Sequence, residues 1–262
     1  MPAILDEILA AARARAAGLR SQRTSLERTA ADTPAPRDFS AALLGAHVAV
    51  IAEIKRRSPS AGMINAALDP VALARTYQSR GASAISVLTD EPFFGGSLAD
   101  LRDVTQAVTC PILRKDFIVS EEQLLEARAA GAAAALLIVR ALEQPDLTRL
   151  TSFAGAIGLA VLLEAHHATE IARALDAGAT VIGVNSRDLD TFTIDVPRGL
   201  ELLARVPGGC IAVAESGLAS RDDIDRAAAA GADAVLVGSL LSGAEDPGAV
   251  LETLTTVPRH AR

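Results

Sequence analysis

Short apolar runs recur along this 262-residue chain, with starts roughly 20–35 residues apart and helical patterns between them. That alternation predicts parallel strands joined by crossover helices, which leaves few architectures open. Strands are expected near 48–54, 83–89, 111–115, 134–139, 160–164, 180–185, 210–215 and 234–238. The clearest runs end in a polar or charged residue and then a loop: AVIAEIKRRSPS (49–60), CPILRKDFIV (110–119), LAVLLEAHH (159–167), VIGVNSRDL (181–189), IAVAESG (211–217) and DAVLVGS (233–239). Units of this kind, in a chain close to the usual length of about 250 residues, close into an α/β (β/α)8 TIM barrel. A doubly wound open sheet is the alternative. No GxGxxG follows the first run, and eight strands in simple alternation close more naturally than they splay. Closure puts every strand end on one face, so Lys55, Lys115, Glu164, Asn185, Glu215 and Ser216 would share one mouth.

The punctuation supports this reading. RGASAISVL (80–88), AGAAAALLIV (130–139), AGATVIGV (177–184) and AGADAVLVG (230–238) each place a glycine where a helix ends and a strand is about to begin. Glycine there can take the left-handed conformation that side chains resist. Asp69-Pro70 reads as a helix cap with proline at the first helical position, Ser120 with Gln123 as a capping box, and Ser220 before Asp222 and Asp223 as a capped acidic N-terminus.

Half the residues are apolar but only one Tyr and six Phe are present and no Trp, so Ala, Leu, Val and Ile must fill the core. A net charge of −7 argues against nucleic acid or an anionic membrane as partner. No run approaches the roughly 18 apolar residues of a membrane span. Cys110 and Cys210 form no CxxC and read as buried small hydrophobes at the strand starts, away from the mouth, in a reducing cytoplasm. Residues 1–47 are expected to be a helical extension, with Ile4, Leu5, Ile8 and Leu9 as a stripe packed on the body. Residues 48–262 would be the single catalytic barrel. Asp6 and Glu7 argue against a transit peptide, and no signal-peptide core is present.

Glu53 and Lys55 lie two apart on one strand and so face the same side. An ion pair plugging the barrel is the plain alternative to a chemical role. Lys115 among apolar neighbours is expected to have a lowered pKa, as a general acid or Schiff-base nucleophile, unless it merely pairs with Asp116. Glu164 closes an apolar strand and reads as a general base tuned by burial. His166 and His167 cannot chelate one metal as neighbours and read as loop or cap residues. Asn185 offers a donor and an acceptor. Arg187 suits a carboxylate, unless it pairs with Asp188 or Asp190. Ser216-Gly217 and Gly238-Ser239 follow the last two strands, where barrels often bind phosphate. The set suits acid–base chemistry on a phosphorylated carbonyl compound, with no cofactor and no metal.

IAEIKRRSPSAG, ISVLTDEPFFGGS, ILRKDFIV, EAR–AGA–LLIV, LLEAHH, IGVNSRDL, VAESG and DAVLVGS, in that order, resemble the indole-3-glycerol phosphate synthase family over about residues 36–250. The resemblance implies a carboxy-lyase of tryptophan biosynthesis acting on 1-(2-carboxyphenylamino)-1-deoxyribulose 5-phosphate. The aryl carbon bearing the carboxylate attacks the ribulose carbonyl, CO2 leaves, and loss of water gives the indole. By motif, Lys115 would protonate the carbonyl oxygen and Glu164 would serve the dehydration. Lys55 would hold phosphate or act as the dehydration acid. Glu53 and Asn185 would orient the lysines and sugar hydroxyls, with Glu215 and Ser216 beside them. Ser58 and Arg187 would bind substrate, Arg187 near the aryl carboxylate. Phe94, Phe117 and Leu189 would line the aryl slot, and Ser216, Gly217, Gly238 and Ser239 the phosphate site. Ala61 and Ser239 depart from the residues common there, Lys and Glu. A small phosphorylated substrate is the expected partner, for a monomer or weak homodimer. A Schiff-base aldolase on Lys115 or another sugar-phosphate barrel enzyme, a pathway paralogue acting on a modified aryl substrate, a sister isomerase and a non-catalytic ligand-binding barrel are the rivals. The isomerase would need a Cys at the first strand end, where Glu-Ile-Lys stands.

Overall fold

The structure is a computed structural model that describes residues 4–260. Eight strands form a closed, all-parallel barrel: β1 (Ala49–Ile54), β2 (Ala84–Leu88), β3 (Ile112–Lys115), β4 (Ala134–Ile138), β5 (Ala160–Ala165), β6 (Val181–Asn185), β7 (Ile211–Glu215) and β8 (Ala234–Val237). Each pairs with its sequence neighbours, and β8 closes onto β1 in the register Ala49 to Ala234. The fold is therefore a (β/α)8 TIM barrel, with every strand within two residues of its expected position. Among the described residues one helix of eight residues or longer follows each strand: α4 (Pro70–Ser79), α6 (Leu98–Ala107), α7 (Glu121–Ala129), α8 (Gln144–Ala156), α9 (Ala168–Asp176), α10 (Val196–Leu203), α11 (Arg221–Ala229) and α13 (Pro247–Leu254). Short helices α5 (Glu91–Phe94) and α12 (Ser239–Ser242) sit in the loops after β2 and β8.

The turns behave as their residues dictate. Gly81, Gly131, Gly178 and Gly231 all have φ between 86° and 94°, a region that costs other residues about 1–2 kcal/mol. Asp69 caps α4 by accepting from the N–H groups of Val71 and Ala72 at 2.9 and 3.1 Å. The expected capping box on α7 is only half formed. Ser120 accepts from Gln123 N at 3.4 Å, but the Gln123 amide reaches past it, accepting from Val119 N and donating to Phe117 O. Gln123 is buried, and it braces the segment that follows β3 instead of closing the box. Cys110 and Cys210 precede β3 and β7 but are half-buried, short of the full burial expected. Burial still pushes the Cys110 thiol up to about 11.

Ahead of the barrel lie α1 (Ile4–Leu19), α2 (Arg23–Asp32) and the short α3 (Phe39–Ala42). On α1, Leu5, Ile8, Leu9, Ala12 and Ala16 are buried, the spacing of one helical face. Their cluster continues through Phe39, Leu43 and Phe117 to the barrel interior at Leu113, Leu136 and Leu236. Each fully buried Leu or Ile contributes about 1.5–3 kcal/mol, which a lone helix in water could not recover. Charge fixes the seat. Arg15 on α1 reaches Asp90 and Asp116, both at 3.0 Å and both buried, and Arg23 on α2 meets Glu121 and Glu122 at 2.7 and 3.0 Å. No helix among the described residues is long and apolar enough to cross a membrane.

Candidate active site

The strand ends open into one cavity of about 440 Å3, within the range of small-molecule sites. Every residue singled out from the sequence lines it: Glu53, Lys55, Ser58, Phe94, Lys115, Phe117, Glu164, Asn185, Arg187, Leu189, Glu215, Ser216, Gly217, Gly238 and Ser239.

At its floor Lys115 Nζ lies 3.1 Å from Glu164 Oε2 and 3.6 Å from Glu215 Oε2. Burial pulls the Lys115 ammonium down, but Glu164, Glu215 and Glu53 outweigh it and hold it above the ordinary lysine range. This corrects the expectation of a lowered pKa: the neighbouring carboxylates favour the ammonium form of Lys115. Asp116 is not its partner, since that carboxylate is taken by Arg114 at 2.9 Å and by Arg15. Arg114 itself turns outward, donating to Gln123 O on α7 at 2.9 Å.

The two carboxylates beside Lys115 part company. Burial pushes Glu164 up, but Lys115 and His166, with hydrogen bonds from Lys115 and Asn185, overcome it and hold the carboxyl down to about 2. Glu215 goes the other way: burial and the neighbouring Glu164 raise it well above its ordinary value, against the pull of Lys115. Burial was expected to tune Glu164, and its charged neighbours outweigh burial and favour the carboxylate form. Gly183 makes room for Glu215, since a Cβ there would overlap Glu215 Oε1.

Glu53 and Lys55 do form an ion pair, at 2.8 Å, yet both still line the cavity. Gly238 allows it: a Cβ at that position would overlap Glu53 Oε1 and crowd Lys55 Nζ. Arg187 pairs with neither Asp188 nor Asp190. Its Nη1 donates to Ser60 Oγ at 3.1 Å and Phe192 O at 3.4 Å, while Asp190 holds Arg140 and Asp188 accepts from Asp190 N and Thr191 N. Burial lowers the Arg187 pKa, so a carboxylate arriving there meets an under-compensated guanidinium. Ser216 (φ 67°) and Gly217 (φ 78°) follow β7 as consecutive left-handed residues. For a serine this is strain of about 1–3 kcal/mol, the kind stored at binding sites. Phe94 and Phe117 form the apolar wall, ring centroids 6.0 Å apart.

Several lining residues escaped the sequence reading. Phe192 (φ 58°) and Ile194 lie in the loop after β6, where Ile194 bridges back to Arg187. The apolar residues interrupting the polar segment after Asp190 were the available signal. His167 is the N-cap residue of α9 as expected and its ring meets Arg198 at 2.9 Å. His166 lies in the loop between β5 and α9, as read, and its side chain is buried behind Glu164. The strand alternation of Glu-Ala-His was the signal that could have placed it.

A closed (β/α)8 barrel with lysines and buried carboxylates at the mouth belongs to the class of barrel enzymes. The chain belongs to the indole-3-glycerol phosphate synthase family of carboxy-lyases, whose family model matches residues 5–254. It is 48% identical to the indole-3-glycerol phosphate synthase of Parafrankia sp., over 98% of this chain and 96% of that protein. It is 49% identical to that of Streptomyces griseus, again over 98% and 96%. Among solved structures, a mandelate oxidase superposes with a TM-score of 0.60 at 21% identity, covering 78% of this chain and 70% of the other. A thiamine phosphate pyrophosphorylase from Pyrococcus furiosus gives 0.58 at 19%, covering 78% and 92%. Those two likenesses are of fold alone.

Proposed function

We propose that this mouth converts 1-(2-carboxyphenylamino)-1-deoxyribulose 5-phosphate to indole-3-glycerol phosphate, CO2 and water by general acid–base catalysis. The observation that carries the reading is the charged Lys115 held between a low-pKa Glu164 and a high-pKa Glu215 at the cavity floor. Phosphate rests against Ser216, Gly217, Gly238 and Ser239, beside Lys55. The aryl ring lies among Phe94, Phe117 and Leu189, with its carboxylate toward Arg187. Clamped at both ends, the ring carbon and the ribulose carbonyl are brought together, which can replace several kcal/mol of orientational entropy.

Lys115 gives its proton to the carbonyl oxygen as the ring carbon attacks, so the oxygen becomes a hydroxyl. Loss of CO2 returns the bonding electrons to the ring. The hydroxyl then departs as water with a proton from Lys55, and Glu164 takes the carbon-bound proton whose loss completes the indole. Asn185, Glu53, Glu215 and Ser58 orient these groups. Residues 1–47 serve as an extension seated on one catalytic unit, 48–262. A phosphorylated substrate fits a cytoplasmic setting, and the chain acts as a monomer or weak homodimer.

The test is an assay of the purified chain with this substrate, followed by indole fluorescence. Product that vanishes when Lys115 is replaced supports the reading, and no product from folded protein sinks it. Arg187→Ala is expected to lower kcat/KM about tenfold to a hundredfold, the loss of a charged hydrogen bond. Unchanged constants would make Arg187 a loop brace only.

A further inference from the structure

His166 follows the last residue of β5 and shares the inward side of the chain with Glu164, two positions earlier. The side chain is buried, and a carboxylate lies at each ring nitrogen: Glu164 Oε1 is 3.4 Å from Nε2, and Glu170 Oε2 is 3.4 Å from Nδ1. Neither nitrogen has a closer hydrogen-bond partner among the described residues. Glu170 is buried in the first turn of α9 and accepts from the His166 backbone N–H at 2.6 Å, so the backbone that carries the imidazole is tied to the same carboxylate that faces Nδ1. The oxygens of Glu164 are thereby divided, Oε2 toward Lys115 and Oε1 toward His166.

We infer that His166 is a positioning residue, held by Glu170, that grips Glu164 Oε1 and keeps the other oxygen aimed at Lys115 and the substrate. A carboxylate that must take a proton from one carbon cannot swing about its own axis, because small misplacements cost orders of magnitude in rate. Contacts of 3.4 Å are long for hydrogen bonds. Catalytic contacts of this kind tighten when substrate fills the site. His166 is also among the groups that hold the Glu164 carboxyl low. A mere packing residue would need only the shape of the ring.

The inference rests on the role given to Glu164 above, and the experiment separates the two. Steady-state constants and thermal midpoints are measured for the full chain and for His166→Leu, His166→Gln, His166→Asn and Glu164→Gln. The amide of Gln reaches about as far as Nε2, while that of Asn falls short. His166→Leu should lose about tenfold to a hundredfold in kcat with KM nearly unchanged, and His166→Gln should recover most of that loss. Parental kcat in His166→Leu, or a loss that Gln does not recover, overturns the inference. If His166→Leu does not fold, the Gln and Asn variants decide. Higher kcat in Gln supports positioning, and equal kcat overturns it. Full activity in Glu164→Gln would overturn the role of Glu164 itself, whatever the His166 variants do.

Discussion

Lys115→Met lowers kcat by about 10²- to 10⁴-fold, the usual worth of a positioned general acid, with a smaller change in KM. Methionine keeps much of the length and apolar stem and removes the proton. The effect falls on kcat because the lysine touches the carbonyl oxygen only as charge develops there, while phosphate and aryl contacts remain. Initial rates by indole fluorescence measure it, and a kcat within about threefold of the parent would remove Lys115 from the chemistry. Stability should move as well. Without the ammonium, Glu164 and Glu215 face each other buried and uncompensated, a loss of roughly 3–5 kcal/mol if neither takes a proton. Glu215 already has a raised pKa. Above the ordinary carboxyl value of 4.5 the folded chain keeps a proton that the unfolded chain releases, so stability falls as pH rises through that window. The variant should therefore melt closer to the parent at pH 5 than at pH 8, and a deficit independent of pH would contradict this.

Glu164→Gln is the second large effect. The amide preserves shape and can still accept from Lys115, but it cannot take a proton, so dehydration should slow by about 10²- to 10⁴-fold. CO2 release in a single turnover should continue while indole formation stalls. Equal slowing of both would place Glu164 in ring closure. Because the parent carboxyl is held to about 2, its favourable interactions are fully present above the unfolded value of 4.5 and are lost only as pH falls toward 2. The acid limb of activity above pH 4 therefore belongs to another group, and the variant should leave it in place.

The barrel was legible because strand and helix periods differ and glycine marks each return to a strand. Gly81, Gly131, Gly178 and Gly231 adopt the conformation their position requires. The membership of the mouth was legible for a related reason: parallel closure brings every strand end to one face, so Lys115 and Glu164 meet although 49 residues separate them. Charge states were not legible. Whether a buried lysine loses or keeps its proton depends on how many carboxylates face it, and Glu215 and Glu53 reach Lys115 from strands distant in sequence. The same holds for Arg187, whose adjacent aspartates are engaged elsewhere by Arg140 and by their own turn. His166 was legible as a loop residue but its burial beside Glu164 was not, because sequence shows the spacing to Glu170 in the next helix but not the angle of the turn.

The ion pairs of Arg15 impose an order on biosynthesis. Asp116 lies 101 residues further along the chain, and Asp90 also comes later. During translation α1 thus leaves the ribosome long before either anion exists to hold it, with Leu5, Ile8 and Leu9 bare. The helix is made early and seated late, once the third strand has placed Asp116 and Phe117. Until then its apolar face is exposed surface of the kind that makes partly made chains prone to aggregate.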